Sequence, residues 1–369
     1  MTRLRHPIWT EQLCAIARQP LAYCPAFPEI AARWERWWNF SAERPLLIAA
    51  APLTGGIYRG KAFHLLDQPA EWLARRRRQL EGTKFVGDSI PRIRVDIGPV
   101  AVGAFLGAPL TLSEAEQTSW QQPVITDWRN PPDFGFDPDN PWFKRVIALL
   151  KLVADDARGR YLVCTPDLSG AIDVLVNLRG PDRLCLDLHD HRNEVIAASL
   201  RVMSAWDHIY SEIMDAVLSR GTGVTQWLAC WSNRPFTIPT CDFTALIGPD
   251  DFRDCCLPSL RRQAESAGNL LFHLDGPQAA RHAPVLQAEP WITAVKYTPG
   301  AGTPSALDKL DLLRGLQAAG KPVLVIAPKQ EVSRLARALD RRATAILVED
   351  PLTLAEAQEL ELAVHSCRA

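Results

Sequence analysis

Leu270-Leu271-Phe272-His273-Leu274-Asp275-Gly276, Ile292-Thr293-Ala294-Val295-Lys296-Tyr297-Thr298, Val323-Leu324-Val325-Ile326-Ala327 and Ala345-Ile346-Leu347-Val348-Glu349 are four short, nearly continuous apolar runs. Each is bounded by Gly, Pro, Asp or Asn, and hydrophobicity of this unbroken kind suits parallel strands covered on both faces. Helical periodicity fills the gaps, over 304–319 and 330–340, and returns over 354–364. Gly268 and Gly320 stand where a helix C-terminus wants glycine, and Pro304 follows Thr303 where a helix opens. Working outward, four further runs of the same kind occur at 46–52, 91–96, 161–166 and 225–231, with amphipathic stretches over 142–157, 192–218 and 251–267. Strand followed by helix eight times predicts an α/β fold, a (β/α)8 barrel of the TIM type, in one domain over 45–369.

Residues 1–44 read as an irregular arm ending in a helix over 29–38, where Ile30, Trp34 and Trp37/Trp38 share one apolar face. The segment 108–140 contains Pro109, Pro123, Pro131, Pro132 and Pro138 with a dense Asp/Asn/Gly run, and reads as a long loop insertion. Loops of that length commonly serve as lids or partner surfaces.

Composition narrows the function. The 369 residues carry 41 Lys plus Arg against 42 Asp plus Glu, a net charge of −1, so no electrostatic footprint for nucleic acid or an anionic membrane is present. The apolar runs are too short to span a bilayer, and Glu11 and Gln12 fall where a signal peptide needs an unbroken apolar stretch. A soluble cytoplasmic protein is expected. The nine cysteines are odd in number and lack any C-x-x-C, which predicts free thiols.

In a barrel of this kind the site forms at the C-terminal ends of the strands. Asp96 ends the second, Asp167 follows the third, Trp231 ends the fourth with Asp242 in its loop, His273 and Asp275 end the fifth, Tyr297 the sixth and Glu349-Asp350 the eighth. Carboxylates crowded on one rim repel unless a cation, a metal or shared protons relieve them. His273 and Asp275, two apart on a strand, share a face and could ligate a metal or work as a base and its orienter. Cys241 and Glu349 are further candidate ligands. His273, Asp275 and Asp96 are the candidate catalytic groups, with Trp231, Asp242, Tyr297 and Asp167 as candidate substrate contacts. Each has a structural alternative: Asp167 and Asp350 as helix caps, Asp96 as a turn former, Trp231 and Tyr297 as packing. The run Arg75–Arg78 reads as solvated surface charge. No G-x-G-x-x-G, P-loop, H-E-x-x-H or G-x-S-x-G occurs.

Several strings carry a resemblance: Trp37-Trp38 with Glu43-Arg44-Pro45-Leu46, Asp96-Ile97 with Ala104-Phe105-Leu106-Gly107, Thr165-Pro166-Asp167-Leu168-Ser169-Gly170, Cys241-Asp242-Phe243 with Ile247-Gly248-Pro249-Asp250-Asp251-Phe252, Leu257-Pro258, and His273-Leu274-Asp275-Gly276. In order and spacing, from Trp37 to Val364, the chain resembles the uroporphyrinogen decarboxylase superfamily. The resemblance implies a (β/α)8 barrel, a possible homodimer, and one of two chemistries. One branch decarboxylates uroporphyrinogen without a cofactor. The other holds zinc and moves methyl groups between a corrinoid and an acceptor such as a thiol. Asp96 lies where the first branch has its pyrrole-binding aspartate, and His273 where the second has the histidine of a His-x-Cys zinc motif, with Asp275 here in place of the cysteine. Residues 48–56 lack the substrate-binding arginines of the first branch.

The expectation is therefore an enzyme acting on a neutral or cationic small molecule, most concretely a metal-assisted methyltransferase working with a corrinoid protein. A decarboxylase of a porphyrinogen or simpler acid would need Arg59, Arg92 or Arg94 in its cleft. A non-catalytic binding barrel is the third reading.

Overall fold

The computed structural model describes residues 6–53, 60–300, 302–303 and 305–367. Its twelve strands are β1 (Leu46–Pro52), β2 (Thr83–Gly87), β3 (Arg92–Arg94), β4 (Leu110–Ser113), β5 (Thr118–Gln121), β6 (Leu162–Cys164), β7 (Val224–Thr225), β8 (Phe236–Thr237), β9 (Asn269–Asp275), β10 (Ala294–Thr298), β11 (Val323–Ala327) and β12 (Thr344–Val348). Seven of them form one sheet in the order β2-β1-β12-β11-β10-β9-β8, parallel throughout except where β2 runs antiparallel to β1. A second, parallel sheet is β3-β6-β7. The fold is thus a mixed α/β arrangement around parallel sheet, and no strand pairing joins the two sheets among the described residues. No helix of the described chain is long and apolar enough to cross a membrane.

The continuous sheet follows from the apolar runs. Leu46, Leu47, Val295, Leu324, Val325, Ala345 and Ile346 are all buried, as strands layered beneath helices require. The longest helix, Arg192–Leu218, buries Val202, Trp206, Ile209 and Tyr210; Trp206 stacks on Tyr210 with 4.7 Å between ring centroids, and the Tyr210 hydroxyl donates to the Phe236 carbonyl on β8 at 3.1 Å.

The N-terminal arm is helical rather than irregular. His6–Ala17 forms a helix that buries Trp9 and Leu13, and Trp9 Nε1 donates to Asp215 Oδ1 at 2.9 Å on the long helix. A second helix, Phe27–Trp38, buries Ile30, Trp34 and Trp37 as their spacing required. At its inner side Asp88 is fully buried, accepting from Arg44 Nη1 at 2.8 Å, Arg44 Nη2 at 3.1 Å, Arg33 Nε at 2.5 Å and the Leu47 backbone N–H at 3.1 Å. Gly87 lets the chain reach that position. Its φ is +72°, and a Cβ there would lie 2.5 Å from the Leu47 carbonyl oxygen.

Two expectations are corrected. The fourth strand is two residues long, not 225–231, because Thr225 Oγ1 donates to the Cys230 carbonyl at 2.5 Å and folds the apolar run back into a buried loop. The insertion 108–140 is not all loop, since β4 and β5 pair as an antiparallel hairpin. Gln117 takes the left-handed turn position (φ +53°), so no glycine marked the turn in the sequence.

Candidate active site

Parallel pairing sets His273 on β9 beside Lys296 on β10, and Asp275 beside Thr298. Alternation along a strand then puts His273, Asp275 and Lys296 on one face and Tyr297 on the other. Lys296 Nζ lies 3.2 Å from His273 Nδ1 and 4.5 Å from the centroid of the Trp227 ring, which also meets the imidazole edge-on at 5.4 Å. On the other side of the ring, His273 Nε2 faces Asp242 Oδ1 at 3.9 Å and Asp275 Oδ2 at 4.0 Å. Asp242, His273 and Asp275 can each turn one ligand atom to a common point, all within 4.8 Å of one another.

The loop carrying Asp242 is fixed from below. Asp173, buried, accepts from the Asp242 N–H at 2.9 Å and the Phe243 N–H at 3.2 Å. Beside Asp242 opens a cleft of about 370 Å³ whose lining includes Pro99, Ser119, Trp120, Ser169, Asp173 and Thr240. The hairpin of the insertion therefore supplies one wall of the cleft beside Asp242.

Burial sets the protonation states. It pushes His273 well below its ordinary value, and the Lys296 charge adds to this, so the imidazole is neutral. Burial also brings Lys296 down to about 8, against the pull of Glu349, Asp275, Asp242 and Asp167. Asp242 is raised by burial and then by Asp173, Asp275 and Asp167, although its side chain is more than half exposed and solvent moderates the effect. Burial raises Asp275 as well, with Lys296 opposing. Asp167 is pushed up to about 7 by burial, opposed by Arg94 and raised further by Asp96 and Asp173.

Asp167 caps nothing through Oδ1, which is buried without a hydrogen-bond partner. Its folded value lies above that of an unfolded aspartate, near 4, so its contribution to stability is present below about pH 4 and is lost as pH rises through about 7. Asp167→Asn is expected to flatten the decline in thermal stability across that window. Calorimetry from pH 4 to 7.5 measures this, and an unchanged decline counts against the assignment.

Asp96 lies on the second sheet's side. Burial alone would raise it, but Arg94, Lys61 and the Gly98 N–H together hold it below the ordinary range. Arg94 Nη1 and Lys61 Nζ stand 3.4 and 3.5 Å from Oδ2, and Gly98 N donates to Oδ1 at 2.7 Å. Gly98 has φ +91°, and a Cβ there would sit 1.8 Å from Ser119 Oγ, so only glycine gives Asp96 this backbone donor. Of the arginines an acid-decarboxylating cleft would need, Arg94 meets Asp96, Arg92 precedes it by two on β3, and Arg59 lies outside the described residues.

The structure does not bring three of the expected residues to this group. Trp231 is fully buried, packs edge-on against Phe27 at 5.1 Å, and donates Nε1 to Asn233 Oδ1 at 2.7 Å, on the side of the N-terminal helices. Tyr297 faces away from Lys296, fully buried. The Cys241 thiol is raised well above its ordinary value by its hydrogen bond with Cys256 and by burial, which leaves it a protonated thiol outside the Asp242–His273–Asp275 group. Glu349 is near enough for its charge to act on Lys296, the strongest of the acids that do. Asp350 accepts from the Lys329 N–H at 2.6 Å and ties the loop after β11 to the end of β12.

Sequence reasoning missed Lys296 and Trp227. A lysine inside an apolar strand run was the available signal, because a buried ammonium needs partners.

No family model matches the chain, and no curated protein matches it. Solved structures do resemble it. One described as "methyltransferase from Methanosarcina mazei" superposes with a TM-score of 0.59 at 13% identity, covering 92% of this chain and 98% of that one. At 13% identity the likeness is one of fold.

Proposed function

We propose that the chain is a small-molecule methyltransferase built on a (β/α)8 barrel, with Asp242, His273, Asp275 and Lys296 as its reacting centre. The observation that carries this is their convergence at the C-terminal ends of β9 and β10, where parallel α/β folds place their chemistry. The fold shared with a methyltransferase along nearly both chain lengths supports the reaction class.

The donor set fits a divalent cation in one protonation arrangement. Two carboxylates and an imidazole make a hard site, suited to zinc, iron or manganese. An ammonium at Lys296 donates to His273 Nδ1 and leaves the ring proton on Nε2, where a metal would bind. A neutral Lys296 accepts from Nδ1–H and frees Nε2, as the outer partner of a ligating histidine must. A bound cation would polarise the acceptor and make it a better nucleophile. The chain's own residues do the rest. One of the two carboxylates, Asp242 or Asp275, would take the acceptor's single proton at the rim, and Trp227 packs against His273 and Lys296 and holds both in place. The methyl donor in this reading is a corrinoid carried by a partner protein, and the β4–β5 hairpin beside the cleft is the surface that meets it.

The test is the metal content of the purified, unchelated protein and of His273→Ala. Near-stoichiometric metal in the parent, lost in the variant together with methyl transfer from methylcobalamin, is expected. A metal-free parent, or undiminished transfer by His273→Ala, would overturn the reading.

A further inference from the structure

The charge around Asp96 does not balance. Lys61 and Arg94 both reach its Oδ2. Arg92 and Arg94, two apart on β3, share a face. Arg76, expected at the surface with the rest of its run, turns inward instead: Nη1 donates to the Gly60 carbonyl at 2.9 Å, and its guanidinium lies 5.7 Å from the Trp72 ring centroid. It feels Asp96 as an attraction and Arg94 and Arg92 as repulsions. Two cations thus contact the ionised Asp96, and two more lie within electrostatic reach of the same group. Arg94 Nε is buried without a hydrogen-bond partner, and so is Asp167 Oδ1, on a residue 7% exposed whose charge responds to both Arg94 and Lys296. Cations gathered at this density are expected to have a counter-anion, and the unused donor is directed to one.

We propose that Lys61, Arg76, Arg92 and Arg94 form an anion pocket that anchors a carboxylate or phosphate group of the substrate, with Asp167 between this anchor and the reacting centre. This inference deepens the methyltransferase reading and shares its site. It also revises the expectation of a neutral or cationic substrate, because on the β3 side Lys61 and the arginines outnumber the acids beside them. The substrate is bipolar: an anionic end sits against β3, and the reacting end is presented to Asp242 and Asp275. Guanidinium forks accept either oxyanion, and the wider spread of four donors favours a group with three free oxygens.

Calorimetric titration of the whole protein with inorganic phosphate, and separately with malonate, tests the pocket without needing metal or turnover. One saturable site is expected for at least one probe. Arg94→Met should weaken it at least tenfold and Arg94→Lys less, while His273→Ala leaves it unchanged. Lys61→Met, on a residue more exposed than Asp96, should also weaken it, with the folded state of each variant checked by its thermal unfolding. Absence of saturable binding to both probes, or affinity unchanged from the parent in Arg94→Met and Lys61→Met, overturns the proposal. Phosphate binding retained in a His273→Ala protein that lacks metal and activity separates the two readings, since each can then fail alone.

Discussion

Asp88→Ala is expected to destabilise the fold by about 3–5 kcal/mol, the loss that follows when one partner of a buried ion pair is removed and the other stays. Asp88 is fully buried and receives four hydrogen bonds, two of them from Arg44, itself 6% exposed. Among the described residues, the alanine variant leaves the Arg44 guanidinium in low dielectric with only the Pro45 carbonyl, 2.7 Å from Nη1, as an acceptor. It also orphans the Leu47 N–H at the start of β1. Denaturant unfolding of the parent and variant measures the loss. A change below about 1 kcal/mol would place this cluster in the class of exposed pairs, which contribute little. Asp88→Asn keeps the shape but not the charge, and should fall between the two.

Lys296→Met is expected to tighten divalent metal binding about tenfold at pH 7 and to lessen its pH dependence up to about pH 8. The sign follows from the tautomer. With Lys296 at about 8, each pH unit below that value raises the ammonium fraction over the neutral amine tenfold, and the ammonium holds the ring proton on the metal-binding nitrogen. Affinity in the parent should therefore rise about tenfold per unit up to pH 8 and level off beyond it. In the variant no ammonium remains, and the residual slope comes from the raised Asp242 and Asp275 carboxyls. Chelator competition with zinc or cobalt between pH 6.5 and 9 distinguishes the cases. An identical slope in both proteins would show that Lys296 does not govern the tautomer.

The last four strands and the longer helices were legible because parallel strands announce themselves by unbroken apolar runs, and β9 to β12 lie within two residues of where those runs begin and end. The rim position of His273, Asp275 and Asp242 followed from strand ends alone. What escaped was decided by tertiary contacts. The run after Thr225 is as apolar as a strand, but a side-chain hydroxyl folds it into a loop, which moves Trp231 away and brings Trp227 in. The inward turn of Arg76 depends on Gly60 and Trp72, partners that helical periodicity does not display. The hairpin of the insertion turned at a glutamine, where turn chemistry gives no warning.

The two halves of the site stand on different sheets, His273 and Lys296 on β9 and β10, Arg92 and Arg94 on β3, with no strand pairing between those sheets among the described residues. Within either sheet, hydrogen-bonded register locks neighbouring residues to fixed spacings. Between the sheets the distance is set by side-chain packing, the short 88–91 link and single hydrogen bonds such as Gln226 Nε2 to the Phe236 carbonyl. The proposed site would therefore act as a caliper with two jaws, and the gap that would measure substrate length could be reset by changing the bulk of residues in the seam, without touching any group proposed to bind or react.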